Sequence, residues 1–306
     1  MNADVSIIIV SYNVCNFLLN CLNSVFKQST ALKIEVWVVD NASTDGSMQI
    51  VREKYPQVRQ IINEKNIGFA AANNQAIRLS TGKYIWLLNP DTIVEPFAMQ
   101  NLVTALQENP QAGVAGSRLV NPNGSLQNSC YPFPTLFRET WRMLLLDHFL
   151  PVANYSMHNW DINKTRSVDN LQGASLMVPK FVLDKVGLLD ESFFMYTEEV
   201  DLNYRIQKAG MKNLWVPNSK VTHFGGQSTR QSQTAMFLQL YQTKIHFFRK
   251  HYGNQQAERY KQLLAITAWL RVKFSSIRIK INKNSSEKSH YLKNNYQHLL
   301  NALPGF

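Results

Sequence analysis

Cysteine is scarce in this chain of 306 residues, and its scarcity excludes disulfide-stabilised domains and structural zinc modules. The three cysteines are Cys15, Cys21 and Cys130, with no CxxC pair and no histidine at zinc-ligand spacing. A disulfide framework or a structural zinc module needs more thiols than this. The sequence therefore predicts reduced, structural cysteines, which are typical of a cytoplasmic protein.

Long apolar runs are also absent. The first apolar run covers residues 5–10 and is followed by the polar residues Ser11 and Asn13, so it is too short for a secretory signal. A membrane-spanning helix needs about 20 apolar residues, and no segment of the sequence approaches that length. We therefore expect neither a signal peptide nor a transmembrane helix.

Acidic residues are rare in the C-terminal part of the chain. Residues 240–306 contain twelve Lys or Arg and two Glu, so they hold +10 of the formal net charge of +11. Apolar residues recur there at the period of one helix face, namely Leu263, Ile266, Leu270, Phe274, Ile277 and Ile281. The pattern predicts an amphipathic basic helix over residues 263–281. We expect it to hold the protein on an anionic membrane surface, at the inner face of the cytoplasmic membrane.

Two other interpretations of the basic tail stay open. In the first, the helix packs against the rest of the protein and its basic face is solvated. In the second, the tail binds nucleic acid, which the lack of a recognisable nucleic-acid-binding motif disfavours. We therefore expect no nucleic acid partner.

Short β-branched runs alternate with helical patterns in the N-terminal half. Strands are predicted at residues 5–10, 34–39, 58–62 and 84–88, and helices at 17–26 and 69–79. This rhythm implies a mainly parallel sheet with helices on both faces, in which ligands bind beyond the carboxyl ends of the strands. Polar residues follow three of these strands, namely Ser11, Tyr12 and Asn13, then Asp40 and Asn41, then Asn89 and Asp91. Their convergence predicts a binding site at one edge of the sheet.

The sequence predicts two parts. Residues 1–230 form an α/β domain, in which residues 121–170 lack clear periodicity and are interpreted as a lid insertion. Regular structure returns at residues 173–179, in a helix at 198–209 and in a strand at 213–216. Residues 231–306 are predicted to form a basic helical extension.

Asp40 and Asp91 each follow an apolar strand, where a carboxylate can bind a nucleotide base or ribose, or hold a hard metal ion. His223 is a second candidate metal ligand, because Gly225 and Gly226 would let the backbone approach phosphate. A single Asp in such a place more often caps the next helix. Asp40 and Asp91 at the same sheet edge as Ser11, Tyr12 and Asn13 favour a nucleotide site, and Asp91 is the first candidate to hold a divalent metal ion there.

Three carboxylates lie within one helical turn, at Glu198, Glu199 and Asp201. Crowded carboxylates raise one another's pKa and suit proton transfer from a hydroxyl group. An acidic first turn favoured by the helix dipole is the alternative. The aromatic residues just before them suggest a wall for a sugar ring, namely Phe193, Phe194 and Tyr196.

Seven segments between residues 5 and 230 resemble, in order, the inverting glycosyltransferases of family two and within them the rhamnosyltransferase-like branch. They are VSIIIVSYN, VVDNASTDGS, NIGFAAANNQAI, LLNPDT, QGASLMV, GLLDESFFMYTEEVDLNYR and HFGGQST. Each motif alone is weak, but their common order is specific. The resemblance implies a GT-A fold and transfer of a sugar from a nucleotide-diphospho-sugar to an acceptor hydroxyl, with inversion at the anomeric carbon.

The resemblance also implies roles for individual residues. The nucleotide-sugar side takes Ser11, Tyr12, Asn13, Asp40, Asn41, Ser43, Asn66, Gly68, Phe69, Asn74 and Asn89. Gly173, Ala174 and Glu198 belong to the acceptor side, and Asp91 and His223 to a metal ion, Mg²⁺ or Mn²⁺. The lack of periodicity at residues 121–170 leaves an acceptor-side insertion open beside the lid. Glu199 occupies the position of the catalytic base, with Asp201 as the alternative.

Two departures from the family pattern bear on these roles. LLNPDT keeps only Asp91 of the two carboxylates of the DxD motif, with Asn89 in the first place, so weaker metal binding is expected. The usual Glu-Asp pair is Glu198-Glu199 here, and its second member carries an extra methylene. The expected donor is a dTDP- or UDP-sugar, with dTDP-rhamnose first, and the expected acceptor is a lipid-linked glycan or surface polysaccharide precursor.

Two other functions compete with sugar transfer. A sugar nucleotidyltransferase shares the strand–helix rhythm, but it needs a glycine-rich basic loop where this chain has SYNV at residues 11–14. A non-catalytic nucleotide- or nucleic-acid-binding module suits the basic tail, but it leaves the carboxylates at 198–201 without a purpose.

Overall fold

The computed structural model describes residues 3–227, 232–281 and 287–306, with side chains for all of these except 277–281 and 287–289. The chain divides into two compact units. The first comprises Met1–Phe133, Asn154–Phe194 and Glu198–Gln231, and the second Pro134–Ala153, Met195–Thr197 and Ser232–Phe306. The predicted boundary at residues 230 and 231 lies outside the described residues, as do the side chains of Ile277 and Ile281.

The large sheet in the first unit contains a parallel group of four strands. Its strands are β1 (Val5–Ser11), β2 (Ile34–Asp40), β3 (Arg59–Ile62) and β4 (Tyr84–Leu88), in the spatial order β3-β2-β1-β4. These strands are rich in β-branched and aromatic residues, which suit a sheet buried on both faces. Ser11 pairs with Asp40 in the register of β1 and β2, so both residues lie at the carboxyl edge of the sheet.

The remainder of the sheet, five strands, is mixed. It contains β5 (Thr92–Val94), β6 (Ala112–Val120), β8 (Arg166–Val168), β10 (Ser175–Pro179) and β11 (Lys212–His223). Strand β10 runs antiparallel to both β4 and β6, and β11 runs parallel to β6. Strand β5 pairs antiparallel with β11, with Thr92 opposite His223. A separate pair joins β7 (Cys130–Tyr131) to β9 (Asn170–Leu171).

Two apolar cores cover the two faces of the sheet. Odd-numbered residues of β1 such as Ile7 and Ile9 face one core, and Ile8 and Val10 face the other. The first core receives α1 (Cys15–Phe26), α2 (Ser47–Lys54) and α4 (Ala98–Glu108), and the second receives α3 (Phe69–Leu79), α6 (Lys180–Val186) and α7 (Glu198–Lys208). The predicted fold class, α/β with helices on both faces of the sheet and C-terminal helices, is confirmed. The sheet itself is mixed and not mainly parallel as predicted, because β10, β5 and β8 run antiparallel to the strands they pair with.

The second unit is helical among its described residues. It contains α5 (Leu136–Met143), α8 (Gln233–Tyr252), α9 (Asn254–Ile281) and α10 (Glu287–Ala302). Its core includes the stacked rings of Phe248 and Tyr260, with centroids 4.5 Å apart, and the buried side chain of Leu299. Part of the predicted insertion at residues 121–170, namely Pro134–Ala153, belongs to this unit, and the remainder belongs to the first.

The three cysteines are unpaired, and Cys21 and Cys130 are buried. Burial raises the pKa of each of these two thiols to about 12. The expectation of structural thiols agrees with these surroundings. Within the described part of the chain, no helix has the length and apolar character needed to cross a membrane.

Candidate active site

The carboxyl ends of β1 and β2 carry two buried oxygen atoms that lack partners. Asp40 is 2% exposed, and its Oδ2 accepts a hydrogen bond of 2.9 Å from the backbone N–H of Ser43. Its other oxygen, Oδ1, has no hydrogen-bond partner, nor has Oγ of the fully buried Ser11. Because buried polar atoms are nearly always satisfied, these two oxygen atoms are candidate contacts for a polar ligand.

The loops after these strands hold each other in place. The backbone N–H of Asn13, which has a positive φ of 50°, donates to Oγ of Ser43 at 2.9 Å. The Asn41 side chain donates from Nδ2 to the carbonyl oxygen of Gly68 at 3.1 Å. Tyr12, which lies between Ser11 and Asn13 in the chain, is half-buried. The structure thus brings the predicted loops of β1, β2 and α3 together.

Gly68 begins α3 under a steric constraint. Its φ is +89°, and a Cβ at this position would lie 2.5 Å from the carbonyl oxygen of Phe194. The same carbonyl accepts the N–H of Phe69 at 2.7 Å, and Oδ1 of Asn66 accepts the N–H of Gly68 at 3.0 Å. A side chain would break this close approach of two backbones, so glycine is required here.

Two residues predicted to contact the donor or the sugar have other surroundings in the structure. Asn74 is buried, and its Nδ2 donates to the Leu189 carbonyl oxygen and to Glu191, while its Oδ1 accepts from the N–H of Leu189. The amide is therefore fully used in fastening α3 to the segment before α7. Phe193 is fully buried, so its ring cannot form part of an exposed wall for a sugar.

Asp91 and His223 meet because β5 and β11 are antiparallel neighbours. Oδ1 of Asp91 lies 3.4 Å from Nε2 of His223, and both side chains are buried. The backbone confirms the alignment, since Phe224 N–H donates to the Asp91 carbonyl oxygen at 3.0 Å. Nε2 of His223 has no hydrogen-bond partner.

These two residues fit a divalent metal ion. Metal–ligand bonds of about 2.1 Å allow one ion to touch two atoms that lie 3.4 Å apart. Carboxylate oxygen and neutral imidazole nitrogen both suit Mn²⁺, and the carboxylate suits Mg²⁺. Among the residues that the structure describes, no group of three or more His, Cys, Asp or Glu could hold a metal.

The predicted base and acceptor-side residues are connected to Asp91 through two contacts. Gly173 packs closely against Glu199, since a Cβ added to the glycine would lie 3.4 Å from Cβ of Glu199. Glu199 is half-buried at the start of α7. The next carbonyl oxygen, that of Ala174, accepts the backbone N–H of Asn89 at 3.0 Å. Glu199, the loop before β10 and the segment that carries Asp91 are thus consecutive neighbours in the first unit.

The other two carboxylates of α7 differ from Glu199. Asp201 is fully buried and forms an ion pair of 2.8 Å with Arg205, whose guanidinium also donates to the carbonyl oxygens of Val186 and Leu188. Asp201 therefore helps Arg205 to hold α7 against the end of α6. Glu198 is 5% exposed, and burial together with the neighbouring charge of Glu199 raises its pKa well above the usual value.

A cavity of about 510 Å³ joins the loop after β1 to the segment after β11. Its lining residues are Asn13, Val14, Cys15, Asn16, Phe17, Asp45, Ile50 and Gln227. The rings of Phe17 and Phe224 are 5.2 Å apart, and the N–H of Gln227 approaches Oδ2 of Asp91 at 3.4 Å. Gln227 was not predicted from sequence, because only strand pairing brings it beside Asp91.

Comparison with known proteins agrees with this geometry. The family model described as glycosyl transferase family 2 matches residues 6–157. The chain is similar to the N-acetylglucosaminyl-diphospho-decaprenol L-rhamnosyltransferase of Mycobacterium tuberculosis, with 31% identity over 216 residues that cover 66% of this chain and 70% of the relative.

Two solved structures have a similar fold. The mannosyltransferase PcManGT from Pyrobaculum calidifontis, solved with GDP-Man and Mn²⁺, has a TM-score of 0.60 at 18% identity and covers 99% of this chain and 85% of its own. GalNAc-T7, solved with UDP, GalNAc and Mn²⁺, has a TM-score of 0.54 at 16% identity and covers 72% of this chain but 44% of its own.

The fold and the comparisons together define a glycosyltransferase of the GT-A class. The chain belongs to glycosyl transferase family 2. The resemblance seen in the motifs is confirmed, and the alternative of a nucleotidyltransferase finds no support in these matches.

Proposed function

We propose that the protein transfers a sugar from a dTDP- or UDP-sugar to the hydroxyl of a lipid-linked glycan in surface polysaccharide synthesis. The observation that carries the donor side is the set of unpartnered buried atoms at one sheet edge, Oγ of Ser11, Oδ1 of Asp40 and Nε2 of His223. L-rhamnose is the favoured sugar and a polyprenyl-diphospho-sugar the favoured acceptor, because the rhamnosyltransferase of M. tuberculosis is similar over two thirds of the chain.

Glu199 is the proposed catalytic base. The acceptor hydroxyl oxygen attacks the anomeric carbon, its proton passes to the Glu199 carboxylate, and the bond between the anomeric carbon and the diphosphate oxygen breaks. The electron pair of that bond leaves with the nucleoside diphosphate, so the configuration is inverted. Glu199 suits this role better than Asp201, because Arg205 already holds the Asp201 carboxylate at 2.8 Å.

Asp91 and His223 are the proposed holders of a divalent metal ion, Mg²⁺ or Mn²⁺. When bound, such an ion neutralises charge on the leaving diphosphate. Both side chains are buried, which would limit the access of water to an ion bound between them. Asp40 and Ser11 bind the nucleoside, and Gly173, Ala174 and Glu198 border the acceptor.

A thermal-shift experiment tests the donor and metal roles. dTDP or UDP should raise the melting temperature with Mg²⁺ or Mn²⁺ present, and EDTA should remove most of the gain. A ligand at 100 times its Kd stabilises by about 2.7 kcal/mol. Asp91→Ala should lose the metal-dependent part, and equal stabilisation of the wild type with and without metal would contradict the metal role.

The second unit supplies the proposed membrane surface. Of fifteen large hydrophobic side chains that are exposed among the described residues, ten belong to this unit. Helix α9 is apolar on two sides, since Tyr260, Leu264 and Ala268 are buried in the core, while Ile266 and Phe274 are 59% and 66% exposed. Of the predicted stripe, Ile266 and Phe274 are therefore exposed and Leu263 and Leu270 are half-buried, while a second apolar face packs in the core.

Exposed residues just after α5 add to the apolar surface of this unit. Thr267 and Arg271 hydrogen-bond to Sδ and to the carbonyl oxygen of Met143, at the end of α5. Leu270 and Phe274 lie one turn further along α9, and the exposed Leu144 and Leu145 directly follow Met143. The net charge of +10 over residues 240–306 favours anionic lipid, at about 1 kcal/mol per well-placed Lys or Arg.

Co-sedimentation with liposomes of graded anionic content tests this surface. Removing the chain after Gly253 would also remove Tyr260, Leu264 and Leu299 from the core, so substitutions are the better probe. Ile266→Gln with Phe274→Gln should weaken binding. The matched control is Phe97→Gln with Phe181→Gln, two equally exposed positions in the first unit. Equal sedimentation of all three proteins, or none at low salt, would contradict the proposal.

A further inference from the structure

His223 lies in a chain of hydrogen bonds that decides which ring nitrogen carries the proton. Its Nδ1 lies 2.7 Å from Oε1 of Gln127. The amide nitrogen of Gln127 lies 3.3 Å from the carbonyl oxygen of His223 and 3.0 Å from Oδ1 of Asn121. A backbone carbonyl only accepts hydrogen bonds, so the Gln127 atom beside it is the NH₂ group. The other end of the amide, beside Nδ1, is therefore the acceptor oxygen.

An acceptor at Nδ1 requires that Nδ1 carry its hydrogen. In the neutral imidazole Nε2 then presents a lone pair. That lone pair is buried and without a partner, and it lies 3.4 Å from Oδ1 of Asp91. Two acceptor atoms thus face each other across a short gap, which is the arrangement of two ligands of one cation.

Gln127 is itself fixed in place. Its backbone N–H donates to the carbonyl oxygen of Leu119 at 2.9 Å, which lays the residue against the end of β6. Asn121, the acceptor of its amide, is held in turn by a hydrogen bond of 2.9 Å from Nδ2 to Oγ of Ser125. The orientation of the Gln127 amide is therefore set by its neighbours and not by His223 alone.

We propose that Gln127 is a positioning residue, whose amide oxygen holds His223 in the Nδ1–H tautomer so that Nε2 and Asp91 together receive the divalent cation. This inference rests on the metal role proposed above. Partners of this kind behind a ligating histidine commonly contribute about 10- to 100-fold to metal affinity. Gln127 acts through His223 and does not touch the metal or the sugar.

Two substitutions separate this role from a general effect on folding. Gln127→Leu removes the acceptor oxygen, and Gln127→Glu keeps an acceptor in its place. Gln28→Leu is the matched control, because Gln28 is also half-buried and its amide donates to the carbonyl oxygens of Ser24 and Val94, away from His223. Mn²⁺ binding is measured by electron paramagnetic resonance with saturating dTDP. The tautomer is measured by ¹⁵N NMR of histidine-labelled protein in EDTA at pH 9, with His223→Gln for assignment.

Gln127→Leu should lower Mn²⁺ affinity about 10- to 100-fold, while Gln127→Glu and Gln28→Leu stay within a few-fold of the wild type. NMR should show the Nδ1–H tautomer at His223 in the wild type and in Gln127→Glu. An Nε2–H wild-type tautomer, or unchanged Mn²⁺ affinity in Gln127→Leu, would overturn the role of Gln127 alone. A wild type that binds no Mn²⁺ with dTDP would overturn the metal proposal itself. If Gln127→Leu does not fold, the His223 tautomer of the wild type and the Mn²⁺ affinity of Gln127→Glu still test the role of Gln127.

Discussion

Each unit of the protein buries a glutamate, and the two glutamates have opposite surroundings. In the second unit Glu139 is 1% exposed and accepts hydrogen bonds from Lys244 at 2.9 Å and Arg142 at 2.7 Å. Burial opposes its charge, but Lys244 and Arg142 outweigh burial and hold the pKa of Glu139 below its usual value. In the described part of the first unit Glu198 has no cation of this kind, its Oε2 has no partner, and its pKa is raised.

This difference means that Glu139 stabilises the folded protein, whereas Glu198 destabilises it. A buried carboxylate with two cations is an internal fastening, and removing it strands the cations. A buried carboxylate next to a second carboxylate destabilises the folded protein at neutral pH, and such positions concentrate at functional sites. The charged groups of the two units therefore predict different experimental outcomes.

The largest expected effect is on catalysis in the first unit. Glu199→Gln should reduce kcat by about 10²–10⁴-fold, the usual contribution of a general base, because the amide cannot take the proton. Donor affinity should stay nearly constant. Steady-state kinetics and calorimetric donor binding check both expectations. If Asp201→Asn is the crippling change and Glu199→Gln is mild, the base lies two positions further along α7.

The next effect is on stability in the second unit. Glu139→Ala should lower the free energy of unfolding by about 3–5 kcal/mol, the usual cost of stranding a buried charge. Because the folded pKa of Glu139 is lowered, its contribution is present at neutral pH and is lost as pH falls through that folded pKa. Denaturant unfolding measures the change. Glu258→Ala, at an exposed position of the same unit, is the control and should cost less than about 1 kcal/mol.

A smaller effect is expected at the nucleotide edge. Asp40→Ala should weaken nucleotide binding by about 1–3 kcal/mol, since a polar group of the ligand is left without its partner. Calorimetry with dTDP and UDP gives the dissociation constants, and circular dichroism checks the fold. An unchanged dissociation constant would reduce Asp40 to a residue that caps the turn at Ser43.

The smallest expected effect is the pH dependence due to Glu198. Its folded pKa is raised, so the folded state keeps a proton that the unfolded chain releases above about pH 4.3. Stability therefore falls as pH rises from there towards the folded pKa. Glu198→Gln carries no charge, and its melting temperature should exceed that of the wild type by a margin that grows from pH 5 to pH 8. Glu108→Gln, at an exposed position of the same unit, should show no such growth; a constant margin for Glu198→Gln would contradict the assignment.

The sequence predicts the fold where local patterns and tertiary structure agree. The strand at Tyr84–Leu88 and the helix at Phe69–Leu79 have the predicted bounds, since runs of apolar residues end there at polar ones. Strand β11 extends to His223, beyond the strand predicted at 213–216, because pairing with β5 and β6 at its end is not visible in local sequence.

The site can be predicted in part for the same reason. The positions of Asp40 and Asp91 directly after apolar strands are enough to indicate a site at the sheet edge. Asn74 is predicted to bind the nucleotide sugar because it lies in a motif that resembles one of the family. Its hydrogen bond to Leu189 is visible only in the fold. Gln127 lies in a stretch without periodicity, and its hydrogen bond to His223 spans 96 positions of the chain.

Strand β10 runs against both of its neighbours in the sheet, and this direction has a consequence for engineering. The amino end of β10 lies at the same edge as the carboxyl end of β4, so the residues just before it meet Asn89. With the proposed roles of these residues, donor specificity depends on residues around 11–91 and acceptor specificity on residues around 173–174, which are separate stretches of the chain. Exchange of the short loop before β10 between relatives should change which acceptor is used and leave the choice of nucleotide intact.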